Sequence, residues 1–244
     1  MITAINKNDA KRIFSYKIES LDYILKNKKF FKCPNCNLDL IFVNCTKKIK
    51  HFRHRISSDC EWERETEEHI NMKKFFIDHL KLNPSEVEVN LKFAIPDIYL
   101  KDKRIAIEVQ HSKISEEKFL FRTRRYTEEG IYVLWIFHPK LLKENVPKFI
   151  RKAHELYYGR IYTIFKDILI PIHLESKERW INESGFYNSD AEYESYGGYY
   201  QNYKIKKEFN LGEKIIDINN FQLSRNTWKS NNYMIAKFWD KKFW

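Results

Sequence analysis

Two carboxylates and an amide, Asp97, Glu108 and Gln110, stand at spacings that a β-hairpin would bring together. Asp97 lies in the run Ile95-Pro96-Asp97-Ile98, and the other two lie in Ile105-Ala106-Ile107-Glu108-Val109-Gln110. The polar stretch Lys101-Asp102-Lys103-Arg104 reads as the turn between two apolar-alternating strands. With Leu100 opposite Ile105 in an antiparallel pair, Asp97 falls opposite Glu108, and directly opposed residues share a face with Cβ atoms roughly 5 Å apart. Gln110 joins that face by the strand period, while Ile105, Ile107 and Val109 face the other way into a core. Like charges held so close repel and need a compensating cation. A divalent metal that takes oxygen ligands, Mg²⁺ or Mn²⁺, suits them. A plain surface hairpin would leave these charges in water, but the flanking runs are strongly apolar.

A second set of ligand-type side chains lies upstream. Cys33-Pro34-Asn35-Cys36 is followed by His51-Phe52-Arg53-His54 and then Cys60, a pattern that suits tetrahedral zinc. Five residues compete for four positions. His51 and His54 meet one metal on a helical turn; on a straight strand they diverge, and one histidine plus Cys60 completes the site. Cys45 reads as a small buried residue. A thioredoxin-like redox pair would need a strand-then-helix setting that is absent around Cys33. Leu38, Leu40, Ile41 and Val43 can form a short strand, as in a zinc ribbon. So small a module has little core, and a metal would supply what burial does not.

The elements that must position the acids follow from periodicity. Residues 61–80 have helical spacing, with His69, Met72, Phe76 and Leu80 on one stripe and Glu65, His69 and Lys73 at i, i+4 and i+8. Asn83-Pro84-Ser85 ends that helix, and Val87, Val89, Leu91 and Phe93 alternate as a strand before the hairpin. Ser115 is placed as an N-cap, with Glu116 and Glu117 in the first turn and Gly130 closing the helix. Residues 131–137 form a continuous apolar strand, a sign of burial on both faces. Helix, three strands, helix, strand predicts an α/β (α+β) fold, a mixed sheet flanked by helices, with the zinc-ribbon-like module in front.

Charge and composition sort the chain into three parts: a basic module at 1–62, a central domain at 63–175, and an extension at 176–244. The net charge is +11, and residues 1–64 hold 14 Lys and Arg against 7 Asp and Glu, so the first quarter carries much of the excess. Such a module fits a polyanion, as does the patch Arg122, Arg124 and Arg125 beside Tyr126. No run of apolar residues is long enough for a membrane span, and no secretory leader is visible, so the cytoplasm is expected. In the extension, aromatic residues alternate with lysines, as in Trp228-Lys229 and Phe238-Trp239-Asp240-Lys241. They could stack on single-stranded bases, but a small core against the central domain accounts for them more simply.

The order of elements, with Pro96-Asp97 and Glu108-Val109-Gln110, resembles the core of the PD-(D/E)xK nucleases, with Gln110 where lysine is usual. More closely, the chain resembles the competence protein CoiA family. The likeness rests on Cys33-Pro34-Asn35-Cys36, His51-Phe52-Arg53-His54, Glu68-His69 with Lys73, Pro96-Asp97, Glu108-Val109-Gln110-His111-Ser112, Arg122-Thr123 with Tyr126, and Leu134-Trp135-Ile136. Tyr157-Tyr158-Gly159-Arg160-Ile161-Tyr162 and Ile170-Pro171-Ile172-His173 extend it to about residue 175. The resemblance implies a restriction-endonuclease-like core fused to a zinc-finger module, acting on DNA in recombination after DNA uptake. Its expected partners are DNA, single-stranded and branched forms included, and recombination proteins.

By the same resemblance, Asp97 and Glu108 hold Mg²⁺ or Mn²⁺, the Val109 carbonyl adds a ligand and Gln110 orients the attacking water. Glu68 is the expected third acidic ligand, and His69 or Lys73 the contact to the scissile phosphate. Because Gln110 brings no charge, a cation from elsewhere must replace that of lysine; Lys73 is the first candidate and Lys113 the second. The rival readings are a DNA-binding recombination accessory with a degenerate nuclease fold, and a zinc-ribbon adaptor for protein partners.

Overall fold

The computed structural model describes residues 1–18, 31–44, 49–55, 60, 65–142, 146–157, 161–172, 174–176, 203–205, 222–225 and 233–239. Cys45, residues 61–64 of the expected first helix, and most of the extension lie outside the described residues.

The N-terminal module is an antiparallel sheet of β1 (Thr3–Asn6), β2 (Arg12–Phe14), β3 (Phe31–Lys32), β4 (Asp39–Val43) and β5 (His51–His54), in the order β2-β1-β3-β4-β5. Its core is small: Met1, Ala4, Ile18, Phe31, Cys33, Leu40 and Phe52. The cysteine cluster at one end of this sheet fits a zinc module.

Helix α1 (Glu67–His79) follows. The Thr66 hydroxyl accepts the His69 amide at 3.3 Å, and two glutamates in the first turn face the positive end of the helix dipole. Then come β6 (Ile98–Leu100), β7 (Ile105–Gln110), α2 (Glu116–Glu128), β8 (Tyr132–Phe137), α3 (Lys148–Leu156), β9 (Ile161–Phe165) and β10 (Ile168–Ile172). The five strands form one mixed sheet, β10-β9-β8-β7-β6, in which β7 and β8, and β8 and β9, run parallel through the crossover helices α2 and α3. The hairpin register is the expected one, Leu100 against Ile105 and Ile98 against Ile107. Every residue of β7 is buried, as is every residue of β8 beyond Tyr132.

Helix α2 is capped as its sequence indicates. Ser115 accepts the Lys118 amide at 3.1 Å. At the other end Gly130 adopts φ +65° and the Ile131 amide bonds back to the Tyr126 carbonyl. Where β8 and β9 diverge, the Tyr157 hydroxyl closes the ladder by donating to the Val133 carbonyl and accepting from the Trp135 amide, both at 2.9 Å. Val133 is also bridged by Ile235, and Ile235 and Ala236 are buried in the central core, so the chain returns to this sheet near its end. Beyond the central sheet, β11 (Leu174–Ser176) pairs with β12 (Tyr203–Ile205), and β13 (Gln222–Arg225) with β14 (Ala236–Trp239).

One expected element does not form. Residues 87–93 make a single bridge, Val87 to Ile98, and otherwise run as a loop. The reason is Glu88, at φ +57°, which breaks the pleat and turns its side chain inward. There Glu88 accepts the amides of Ile2 and Thr3, the Thr3 hydroxyl and the Lys73 ammonium, while Arg12 of β2 bonds the carbonyls of Val87 and Glu88. The would-be strand is the anchor of the N-terminal sheet. No helix among the described residues is long and apolar enough to cross a membrane.

Candidate functional site

At the open end of β6 and β7 lies a cleft of about 270 Å³, lined by Asp97, Glu108, Gln110 and residues of α2. Register alone would aim Asp97 across at Glu108, but β6 begins only at Ile98. The Asp97 carboxylate takes the place of a ladder carbonyl instead, its Oδ2 accepting the Val109 amide at 2.8 Å. Its Oδ1 accepts from His69 Nε2 at 3.1 Å and lies 3.7 Å from Lys73 Nζ. Burial pushes Asp97 towards its neutral form, but His69 and Lys73 outweigh it and hold the carboxyl below its ordinary pKa.

Glu108 lies opposite Trp135 in the parallel ladder, on the face that α2 covers. Tyr126 donates to its Oε1 at 2.5 Å and Arg122 to its Oε2 at 2.8 Å. Burial raises the Glu108 pKa and Asp97 adds to the rise; Arg122 and Tyr126 offset only part of it. The two acids are therefore pushed in opposite directions, a pattern typical of reactive sites. Gln110 donates to the Ser112 carbonyl at 2.7 Å and accepts from Arg122 at 3.4 Å.

Helix α2 rims the cleft with Lys118, Arg122 and Arg125, spaced i, i+4 and i+7 on one face. The Arg125 guanidinium lies between Phe93 and Phe121, 5.9 and 5.6 Å from their ring centres. Arg124, expected alongside them, is exposed and does not line the cleft.

The structure corrects several roles expected for the upstream helix. Glu68 is 58% exposed, and its carboxylate lies 3.5 Å from His111 Nε2 rather than beside Asp97. The acid near Asp97 is Glu65, just before the N-cap, where Glu65, His69 and Asp97 bring ligand atoms within 4.8 Å of one another. The i, i+4, i+8 alignment of Glu65, His69 and Lys73 was the signal that marked it. Lys73 does not reach the cleft. It is fully buried and paired with Glu65 and with Glu88, so its charge is already taken. Lys113 is exposed and lies off the cleft lining. Lys118 and His111, which do line it, had no distinguishing spacing in the sequence.

In the N-terminal module, Cys33, Cys36, His54 and Cys60 gather their ligand atoms within 4.8 Å. The separations include 4.0 Å between the sulfurs of Cys33 and Cys60 and 3.2 Å from Cys36 Sγ to His54 Nε2. Tetrahedral ligands on ~2.3 Å metal–sulfur bonds lie about 3.8 Å apart, so the set is sized for one ion. His51 is excluded. Residues 51 and 54 lie on a strand, where an odd offset puts them on opposite faces, and His51 Nδ1 is directed at the Ile49 carbonyl. Burial pushes the Cys33 thiol up to about 12, so a cation is what would hold it as thiolate.

Residues 65–189 match the family described as competence protein CoiA, nuclease-like domain, and residues 13–63 match the CoiA N-terminal domain. The chain belongs to the CoiA family. It is 29% identical over 136 residues to competence protein CoiA of Bacillus subtilis (strain 168), a stretch covering 51% of this chain and 35% of that protein. The match thus spans about a third of the curated relative. No solved structure matches the chain. Within the CoiA nuclease-like region, the fold brings Asp97, Glu108 and Gln110 to one cleft and adds His69 and Arg122 to them. An ionised carboxylate offers about four lone-pair sites. Each oxygen of Asp97 and Glu108 accepts one short bond from the protein, which leaves capacity for an oxygen-liganded cation.

Proposed function

We propose that this CoiA-family protein is a metal-dependent deoxyribonuclease that acts in DNA processing or recombination after DNA uptake, in the cytoplasm. The observation that carries the reading is that the partly buried Asp97 and the buried Glu108 line one cleft, rimmed by Lys118, Arg122 and Arg125, with their pKa values shifted in opposite directions. Asp97 and Glu108 would hold Mg²⁺ or Mn²⁺, which when bound polarises the phosphate and lowers the pKa of a bound water. His69 and the Val109 amide fix the Asp97 carboxylate, and Tyr126 fixes that of Glu108. Gln110, held by Ser112, orients the water by hydrogen bonding and takes no proton from it. The cationic face of α2 receives the DNA backbone, and Cys33, Cys36, His54 and Cys60 hold a structural zinc.

A second reading, a DNA-binding recombination accessory with a degenerate site, is favoured by one observation. All four oxygens of Asp97 and Glu108 already have protein donors. One experiment separates the two. Single-stranded, duplex and branched DNA are incubated with the protein in Mn²⁺ and in EDTA, and binding is measured across a salt series. Cleavage in Mn²⁺ alone, abolished by Asp97→Asn and by Glu108→Gln, supports the nuclease. Binding that weakens steeply with salt, with no substrate cut, supports the accessory.

A further inference from the structure

Gln110 brings no positive charge to the cleft, and Lys73 is committed to Glu65 and Glu88. The cation that does reach Gln110 comes from α2. Arg122 donates through Nη2 to Glu108 Oε2 at 2.8 Å and through Nη1 to Gln110 Oε1 at 3.4 Å, so one guanidinium spans both residues. Its Cζ lies over the Trp135 ring, 4.9 Å from the ring centre, so the indole backs the guanidinium on one side. Gln110 is turned to receive it, because its amide nitrogen is directed at the Ser112 carbonyl and its oxygen is left facing Arg122. A lysine at 110 would set an ammonium against that guanidinium and repel it. Glutamine at 110 and arginine at 122 thus fit as a pair.

We propose that Arg122 supplies from α2 the positive charge a lysine at 110 would carry, resting on Glu108 and Gln110 and passing to a DNA phosphate when substrate binds. The inference rests on the nuclease reading above. A guanidinium stays protonated, so Arg122 exchanges no proton and forms no bond; it acts by charge and by direction. Because it occupies Glu108 Oε2 at rest, it competes with a divalent cation for that oxygen. DNA and metal should therefore favour each other's binding.

The test uses the full chain as wild type, Arg122→Gln, Arg122→Lys, Gln110→Lys and the double variant Arg122→Gln/Gln110→Lys. Mn²⁺ affinity is measured by calorimetry without DNA, cleavage is measured in Mn²⁺, and the thermal midpoint serves as a folding control. Removing one preorganised charge should slow cleavage about 100-fold in Arg122→Gln, while Mn²⁺ binds without DNA at least as tightly as in wild type. Adding lysine at 110 to that variant should recover at least about tenfold of the loss, whereas lysine at 110 beside an intact Arg122 should slow cleavage, because the two cations repel. Arg122→Lys keeps an ion pair with Glu108, so it should fold normally and cut at an intermediate rate. The inference is overturned if Arg122→Gln cuts like wild type. It is equally overturned if Mn²⁺ affinity, thermal midpoint and cleavage fall together with no rescue by lysine at 110, which is the signature of a merely structural arginine. Wild type that cuts no DNA in Mn²⁺ overturns the nuclease reading itself, and the role of Arg122 with it.

Discussion

Each buried charge near the cleft has a specific answering group, and the kind of group decides how it responds to pH. Asp97 and Glu65 are answered by cations and held below their usual range, whereas Glu108, with burial dominant, is raised. His138 is the reverse case of a base. Burial, then His111 and Lys140, lower it to about 4, and its Nδ1 accepts the Lys140 amide at 3.1 Å, a bond that needs the neutral ring. The folded state therefore resists protonation at His138 while the unfolded chain takes a proton near pH 6.5. Its contribution to stability is complete above pH 6.5 and is lost as pH falls from there towards about 4. His111 is lowered as well and adds to the loss, while His69, raised by Asp97 against its burial, acts in the opposite sense. The difference between wild type and His138→Gln isolates the one ring. Urea midpoints of the two should converge between pH 7 and pH 4.5, and a gap that stays constant over that range would show that His138 is not held neutral. At this scale the sequence told residue types and not their partners: nothing in the i, i+4 spacing said that Lys73 would be buried between Glu65 and Glu88, or that Arg122 would line the cleft.

Elements whose signals are local were legible, and those shaped by a distant segment were not. The hairpin register, the Ser115 cap, the Gly130 stop and the doubly buried β8 follow from patterns within a few residues, and all formed as expected. The strand expected at 87–93 failed because Glu88 is claimed by β1, more than eighty residues earlier, and no alternation count contains that contact. The same contact explains how the N-terminal sheet is fastened. Lys73 joins Glu65 of the helix approach to Glu88 under β1, with Asp97 3.7 Å away. Lys73→Met would leave two carboxylates buried with their shared cation gone, a change that typically costs about 3–5 kcal/mol. The expected result is a fall in the urea midpoint together with faster amide exchange at Ile2 and Thr3, whose hydrogen bonds to Glu88 depend on that carboxylate staying in place. A loss under ~1 kcal/mol with unchanged exchange would show that β1 docks by other means.

At the scale of the whole molecule, the two parts differ in what holds them together. The central sheet is packed between helices on an extensive apolar core that includes Trp135, Phe137, Phe119 and Tyr162, whereas the N-terminal sheet has only a small one. Folding free energy for so small a unit must come from elsewhere, and the Cys33, Cys36, His54, Cys60 set can supply it through a bound metal. The metal set is also wired to the cleft. Asn35 of the Cys33–Cys36 turn donates to Cys60 Sγ at 3.2 Å and bonds Asn90, in the loop that leads to Asp97. Losing the metal should thus have two separable effects. Treatment with a strong chelator, or Cys36→Ser, should remove about one zinc per chain and abolish exchange protection across β3, β4 and β5, while β7 and β8 keep theirs. The loop from Glu88 to Asp97 should then loosen, and the cleavage that the proposed nuclease function predicts should weaken even though Asp97, Glu108 and Arg122 are untouched. Exchange mass spectrometry on the holo and stripped protein reads both effects at once. Unchanged protection of β3 to β5 after complete metal removal would mean that the small core suffices alone and that the metal does not hold the module together.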